Sequence, residues 1–173
     1  MISKTTLLGA AGEHYVMAQL LTRGLIAALA PQGVPNLDIV VSDIEGRRQF
    51  GVQVKSRQNR GSDGGWHMGE KHETIAAPSL FYCFVDFGDI GETVPVCYIL
   101  PSETVAKVIR ETHQAWLSRP GRLGQVRNNS KLRRLVPDYS SAYAPDPPVY
   151  ALGWLDPYRE AWHLLPSPDD ASD

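Results

Sequence analysis

The chain has little cysteine and no long apolar run. Its two cysteines among 173 residues, Cys83 and Cys97, each lie in a short apolar stretch and lack the spacing of zinc ligands. We interpret both as small core residues in a reducing compartment, which predicts a cytoplasmic protein. No apolar run approaches the roughly 18 residues that a membrane span needs. The sequence therefore predicts neither a metal–thiolate site nor contact with a membrane.

Charge of either sign is also sparse. Charged residues make up 21% of the chain and the formal net charge is −2, so strong electrostatic binding of nucleic acid by the whole surface is excluded. Disorder over most of the length is excluded too, because 43% of the residues are apolar. The length suits one domain with a substantial core. We predict a single domain over residues 1–165 and a disordered acidic tail over residues 166–173.

One segment departs from this even charge. It carries six basic residues and no acid, and two interpretations stay open: a local contact with phosphate, or a solvated loop. Its members are Arg119, Arg122, Arg127, Lys131, Arg133 and Arg134.

The order of helix and strand patterns predicts an α/β (α+β) domain with a central mixed sheet of about five strands, flanked by helices. Residues 5–23 have the composition of a helix closed by Gly24. Three strands with short turns follow as an antiparallel meander, at residues 25–30, 37–42 and 50–57. Later elements are strands over 79–87 and 94–100, a helix over 103–117 capped by Ser102, a loop over 119–150, and a short helix from Asp156 to Leu164.

Polar side chains with chemical potential lie on the third strand. Alternation assigns Phe50, Val52 and Val54 to the core, and Gln53 and Lys55 to the opposite face. An ordinary exposed strand would also carry such a pair. Asp38 opens the preceding strand, where aspartate is often only a turn residue. The hairpin would nevertheless bring Asp38 close to Gln53 and Lys55.

The first helix contributes a carboxylate. Glu13 has small or apolar residues one turn away on either side, so its side chain is predicted to leave the helix face that lies against the sheet. A buried carboxylate without a partner is costly, and a cation is expected beside it. Either a Glu13–Lys55 ion pair without catalysis or a shared catalytic site would satisfy this requirement.

Three short motifs occur in a familiar order: G-x-x-G-E on the first helix, then P-N-L-D-I-V-V, then G-V-Q-V-K-S-R. This arrangement over residues 8–57 resembles the core of the PD-(D/E)XK nuclease superfamily, which has the restriction-endonuclease-like fold. Within that superfamily it is most similar to group I intron homing endonucleases with Q-x-K and to archaeal-type Holliday junction resolvases.

The resemblance implies a divalent-metal-dependent nuclease that hydrolyses DNA phosphodiester bonds as an endonuclease. It assigns Glu13, Asp38, Gln53 and Lys55 as the catalytic residues. Mg²⁺ or Mn²⁺ would be held by Glu13, Asp38 and Gln53 with the Val54 carbonyl, since these hard ions take oxygen ligands. Lys55 would orient the attacking water and offset charge in the transition state. Gln53 stands where a carboxylate is usual, which should weaken metal affinity.

DNA contacts are expected just beyond the third strand. Arg57 and Arg60 are candidates for backbone phosphate contacts. Trp66 is a candidate for stacking on a base and His67 for meeting phosphate, although Trp66 also has the character of a core residue. The alternative function is an inactive protein of this fold that binds nucleic acid or a protein partner. A homodimer is one arrangement compatible with either function.

Overall fold

The structure is a computed structural model that describes residues 3–58, 64–89, 91, 93–121, 123–140 and 149–166. It contains two helices, seven strands and short 3-10 turns within those residues. The helices are α1 (Lys4–Leu21) and α2 (Ser102–Ser118), and the strands are β1 (Ile26–Leu29), β2 (Ile39–Ser42), β3 (Gln49–Arg57), β4 (Trp66–Gly69), β5 (Leu80–Asp86), β6 (Val96–Pro101) and β7 (Leu132–Leu135).

A five-stranded mixed sheet in the order β1-β2-β3-β5-β6 forms the centre. The first three strands are antiparallel neighbours, β3 and β5 run parallel, and β6 returns antiparallel to β5. The predicted meander and the mixed five-stranded sheet are therefore confirmed. None of the helices in the described part of the chain has both the length and the apolar character needed to cross a membrane.

Strand β3 lies at the middle of the sheet and is covered on both faces. Its apolar residues Val52 and Val54 pack with Val16 and Leu20 of α1. The opposite face carries a second core formed by side chains of β4, β5, α2 and β7. This second layer leaves Gln53 only 5% exposed, so the ordinary exposed strand considered above is not what the structure contains.

The first layer depends on a close approach of α1 to β3. A Cβ added at Gly12 would overlap Oγ of Ser56 and lie 3.4 Å from Cγ1 of Val54. Glycine at this position therefore permits the helix to rest directly on the strand. Because Glu13 is the next residue, this contact also sets the height of its side chain above the sheet.

Three local predictions are wrong. Strand β7 lies within the predicted loop and pairs antiparallel with β4 in a separate two-stranded sheet. Ser102 is the first residue of α2 and does not cap it, since its hydroxyl exchanges two hydrogen bonds of 2.9 Å with the backbone of Ala77. The last helix is two separate 3-10 turns, because Glu160 between them has a left-handed φ of 48°. The predicted acidic tail lies, from residue 167 onward, outside the described residues.

Candidate active site

Asp38 is fixed between the end of β1 and the middle of β3. Its backbone N–H donates to Val52 O at 3.0 Å, and its carbonyl accepts from Ala30 N at 2.8 Å. Its carboxylate turns toward β3, where Oδ2 accepts hydrogen bonds from the Val54 backbone N–H at 2.7 Å and from Nε2 of Gln53. One carboxylate oxygen is thus used to anchor the side chain. Asp38 is therefore a rigid member of the sheet rather than a loose turn residue.

Lys55 follows Gln53 on the same face of β3. Partial burial lowers the pKa of its ammonium group, while the negative charges of Asp38 and Glu13 act in the opposite direction. The positive charge of Lys71 adds to the lowering of the pKa. The ammonium group is therefore partly desolvated and close enough to both acids for their charges to act on it.

Glu13 projects from α1, which covers the Val52 and Val54 face of β3, and it lies within electrostatic range of Asp38 and Lys55. Partial burial raises the pKa of its carboxyl group, and the charge of Asp38 raises it further, whereas the charges of His14 and Lys55 lower it. No ion pair within 4 Å joins Glu13 to Lys55, two residues that the structure describes fully. The static Glu13–Lys55 pair considered from the sequence is therefore not formed. Glu13 and Asp38 instead lie close enough for their charges to interact, and no cationic side chain among the described residues forms an ion pair with Glu13.

A groove opens beside these two acids. It has a volume of about 520 Å³ and runs between α1 and the connection from β1 to β2, with Glu13 and Asp38 among its lining residues. We call it the α1 groove. Its other lining residues are Thr6, Gly9, Ala10, Leu29, Ala30, Pro31, Gln32, Gly33, Val34 and Leu37.

The donor set fits a hard divalent cation. Within the described parts of the chain, no three or more His, Cys, Asp or Glu side chains form a metal-binding cluster. An ion here would therefore rely on two carboxylates, the Gln53 amide oxygen and the Val54 carbonyl, all of them oxygen ligands of the kind Mg²⁺ prefers. Hydrogen bonding already occupies Oδ2 of Asp38 and Nε2 of Gln53. On these two side chains, Oδ1 of Asp38 and the amide oxygen of Gln53 are therefore the atoms that could bind an ion.

Searches against known proteins add a comparison of the whole fold. No protein-family model matches the chain, and no curated protein matches its sequence. Among solved structures, a bacterial homing endonuclease, I-Ssp6803I, is 17% identical, with a TM-score of 0.52 over 94% of this chain and 93% of that one. Hjc from Archaeoglobus fulgidus, a Holliday junction resolvase, is 14% identical, with a TM-score of 0.42 over 78% of this chain and 86% of Hjc.

The chain has the restriction-endonuclease-like fold. The match to the homing endonuclease runs over nearly the full length of both chains and decides this point. The resemblance that residues 8–57 carry in the sequence is therefore confirmed at the level of the fold. Nucleases are among the proteins with this fold. The fold alone does not assign a role to any residue of the site.

Three residues outside the sequence-predicted set lie within electrostatic range of Asp38 or Lys55, namely Tyr82, His72 and Lys71. Tyr82 is the register partner of Gln53 on β5, and its hydroxyl lies 2.7 Å from Nδ1 of the buried His72. Burial, followed by the charges of Lys55 and Lys71, lowers the pKa of His72 to about 4. Only the strand register brings Tyr82 here, and no local pattern in its apolar run could have revealed it.

Two of the predicted DNA contacts prove to be internal. Trp66 is 1% exposed, packs edge-on against Phe84 and donates its indole N–H to Val85 O at 3.1 Å, so its proposed stacking on a base is ruled out in this structure. The guanidinium of Arg57 lies 4.3 Å above the Trp66 ring and is ion-paired with Asp86. These two residues therefore stabilise the junction between β3, β4 and β5.

The other predicted DNA contacts have different outcomes. His67 is exposed on β4 and pairs in register with Arg134 of β7. Arg60 lies outside the described residues, as does Arg122 of the basic segment. Arg133 is 4% exposed and ion-paired with Glu73, and Arg127 covers the Trp116 ring at 4.7 Å. Two of the six basic residues, Arg127 and Arg133, therefore serve internal contacts, whereas Lys131 is exposed.

Proposed function

We propose that this chain is a divalent-metal-dependent nuclease that hydrolyses DNA phosphodiester bonds, acting as an endonuclease. One observation carries the proposal: Asp38 is anchored to β3 beside Gln53 and Lys55, while Glu13 of α1 faces the same groove. In the part of the chain that the structure describes, these two acids have no ion-pair partner although a partly desolvated lysine lies near them, and this arrangement is costly for a purely structural protein. The restriction-endonuclease-like fold supports this reading.

In the proposal, Glu13, Asp38, the Gln53 amide oxygen and the Val54 carbonyl hold Mg²⁺ or Mn²⁺. When bound, such an ion polarises the scissile phosphate and lowers the pKa of a coordinated water. The chain's own residues provide the geometry. The hydrogen bond from Val54 N–H keeps Asp38 aimed at the site, and the contact of Gly12 with Ser56 keeps Glu13 at a fixed height.

Lys55 has the second role in the reaction. Its ammonium group would hydrogen-bond the attacking water and offset negative charge that grows on the phosphate oxygens in the transition state. A group that is already partly desolvated acts more strongly than one in bulk water, because less solvent screens it. The nearby Lys71 is exposed and would place a second positive charge toward the DNA backbone. We expect His67 to contribute there as well.

The test is cleavage of supercoiled plasmid and of branched DNA with Mg²⁺, with Mn²⁺ and with EDTA. We expect wild-type cleavage only with a metal, and losses of at least about 100-fold for Asp38→Asn and Lys55→Ala. Lys107→Ala, an exposed substitution on α2, is the matched control and should cleave as wild type does.

Two results would contradict the proposal. Cleavage at the wild-type rate by a folded Lys55→Ala protein would assign the chemistry to another site. Metal-independent DNA binding without cleavage under any condition would favour the inactive, nucleic-acid-binding alternative.

A further inference from the structure

The α1 groove has features that a metal site alone does not require. Its charged lining residues are Glu13 and Asp38, and the described residues that line it include no lysine, arginine or histidine. The walls offer the partly exposed apolar side chains of Leu29 (41%) and Val34 (39%), and polar groups from Thr6 and Gln32. Such a lining does not suit phosphate, but it suits an uncharged, flat group with hydrogen-bonding edges.

Gly9 forms part of the groove on the α1 side. Glycine is the least favourable residue in a helix interior apart from proline, so its presence in α1 needs a reason. At Gly12 the reason is internal, because a Cβ would overlap Ser56. At Gly9 nothing lies within 4 Å of an added Cβ, so packing within the protein does not require glycine there. The missing side chain does keep the groove open one helical turn away from Glu13.

The opposite wall is a shaped loop. Gly33, which lines the groove, has a left-handed φ of 90°, and Asn36 further along the same loop has a left-handed φ of 65°. Oδ1 of Asn36 is buried and has no hydrogen-bond partner in the described structure. Residues held in such conformations with unsatisfied polar atoms are typical of loops that contact ligands.

We propose that the α1 groove receives the sugar and base of one unpaired nucleotide next to the scissile phosphate, and that Gly9 admits it. This inference rests on the proposed function. A volume of about 520 Å³ is in the range of pockets for single small ligands. The preferred substrate is then DNA with an unpaired base at the cleavage point, such as a bulge or a flap, rather than an intact duplex.

Substitution at Gly9 tests the proposal. Gly9→Trp fills the groove, and Gly9→Leu fills it in part. Gly9→Ala leaves most of it open and should raise Tm by about 2 to 4 °C through better helix propensity. Ala18→Trp is the control, because Ala18 is exposed on the same helix and does not line the groove. Thermal melting identifies the variants that remain folded.

Two DNA duplexes of identical sequence serve as probes, one fully paired and one with a single unpaired nucleotide at the labelled position. Affinity is measured by fluorescence anisotropy with Ca²⁺ in place of Mg²⁺, and single-turnover cleavage is measured with Mg²⁺. We expect wild type to prefer the unpaired probe at least 10-fold in both assays. Gly9→Trp should abolish the preference, Gly9→Leu should reduce it strongly and Gly9→Ala slightly, whereas Ala18→Trp should retain it.

Equal affinity and equal cleavage for the two probes would overturn the inference while leaving the nuclease proposal intact. A preference that survives in folded Gly9→Trp and Gly9→Leu proteins would overturn it too. If wild type cleaves neither probe, the proposed function fails. The affinity data then still decide the groove's role, because loss of preferential binding in Gly9→Trp supports it and unchanged binding rejects it.

Discussion

Glu13 and Asp38 hold two negative charges near one place, and burial makes this arrangement costly for the metal-free protein. The first cause of the raised pKa of Glu13 is desolvation, and the second is the charge of Asp38. A cation between the two carboxylates would remove both costs. At the scale of single residues, the two carboxylates therefore destabilise the folded protein when no cation is bound and stabilise it when a cation lies between them.

Glu13→Gln should therefore stabilise the metal-free protein at neutral pH, by about 0.5 kcal/mol, which is the usual size of a like-charge contact near a surface. Because the folded pKa of Glu13 is raised, the stability linked to its proton is present below the unfolded value and is lost as pH rises through the folded value. The advantage of the variant should thus grow from pH 4 to pH 7. Thermal melting in EDTA across this range measures it.

Mg²⁺ provides the reverse comparison, since it should raise the Tm of wild type more than that of Glu13→Gln. If the variant is instead less stable than wild type at pH 7, and this difference in stability shrinks on acidification, then Glu13 forms a stabilising ion pair with a cationic side chain of the protein. That result would revive the structural ion-pair interpretation.

Some residues of the site could be predicted from sequence because the signals are local. Alternation along β3 places Gln53 and Lys55 on one face, and the short turn to β2 brings Asp38 beside them. Tyr82 and His72 could not be predicted, because their positions depend on the parallel pairing of β3 with β5 and on the turn after β4. The sequence leaves two interpretations of Trp66 open for the same reason, because its burial depends on β5 and β6, which come later in the chain.

At the scale of elements, the contact between α1 and β3 links the fold to the site. The predicted helix and meander are right because period and turn residues specify them locally. Strand β7 cannot be predicted from the sequence, because the four residues Leu132–Leu135 are too few for alternation to be recognised and only their pairing with β4 makes them a strand.

Gly12→Ala tests the helix–strand contact. Its Cβ would overlap Oγ of Ser56, so α1 must lift from β3 at a cost of about 1 to 3 kcal/mol, as in other overpacked cores. Metal-dependent cleavage should fall as well, since Glu13 moves with the helix. Urea denaturation and the plasmid assay measure the two effects.

Gly12→Ala combined with Ser56→Gly is the matched control, because removing the Ser56 hydroxymethyl group makes room for the new methyl. The pair should recover much of the stability and activity. A single Gly12→Ala variant as stable and as active as wild type would show that the contact does not position Glu13.

At the scale of the whole molecule, the second layer changes the meaning of the polar face of β3. Residues 66–135 supply β4, α2 and β7, which cover the Gln53 side of β3, and the buried His72 lies within electrostatic range of Lys55. The burial of this face cannot be predicted from residues 50–57, because the elements that cover it are far away in sequence. Arg57 forms an ion pair with Asp86, its register partner on β5, and Arg133 forms one with Glu73. Part of the apparent basic charge is thus neutralised inside the protein.

Arginines held in internal ion pairs and exposed lysines should therefore contribute differently to DNA binding. Arg57→Ala removes an ion pair whose side chains are only 19% and 20% exposed, together with the contact to Trp66, and should lower stability by about 2 kcal/mol. Its effect on the salt dependence of DNA affinity should be small. Lys71→Ala should leave stability within about 0.5 kcal/mol of wild type, because Lys71 is exposed. It should reduce the slope of the logarithm of DNA affinity against the logarithm of salt concentration by the equivalent of about one phosphate contact.

Anisotropy titrations from low to moderate salt, with thermal melting of each variant, compare the two substitutions. Phosphate contacts release counterions, so only a residue that meets the DNA backbone changes the slope. A slope that flattens in Arg57→Ala and stays unchanged in Lys71→Ala would mean that Arg57 exchanges Asp86 for phosphate on binding. DNA would then approach from the end of β3 rather than over Lys71, and the surface proposed for the substrate backbone would have to move accordingly.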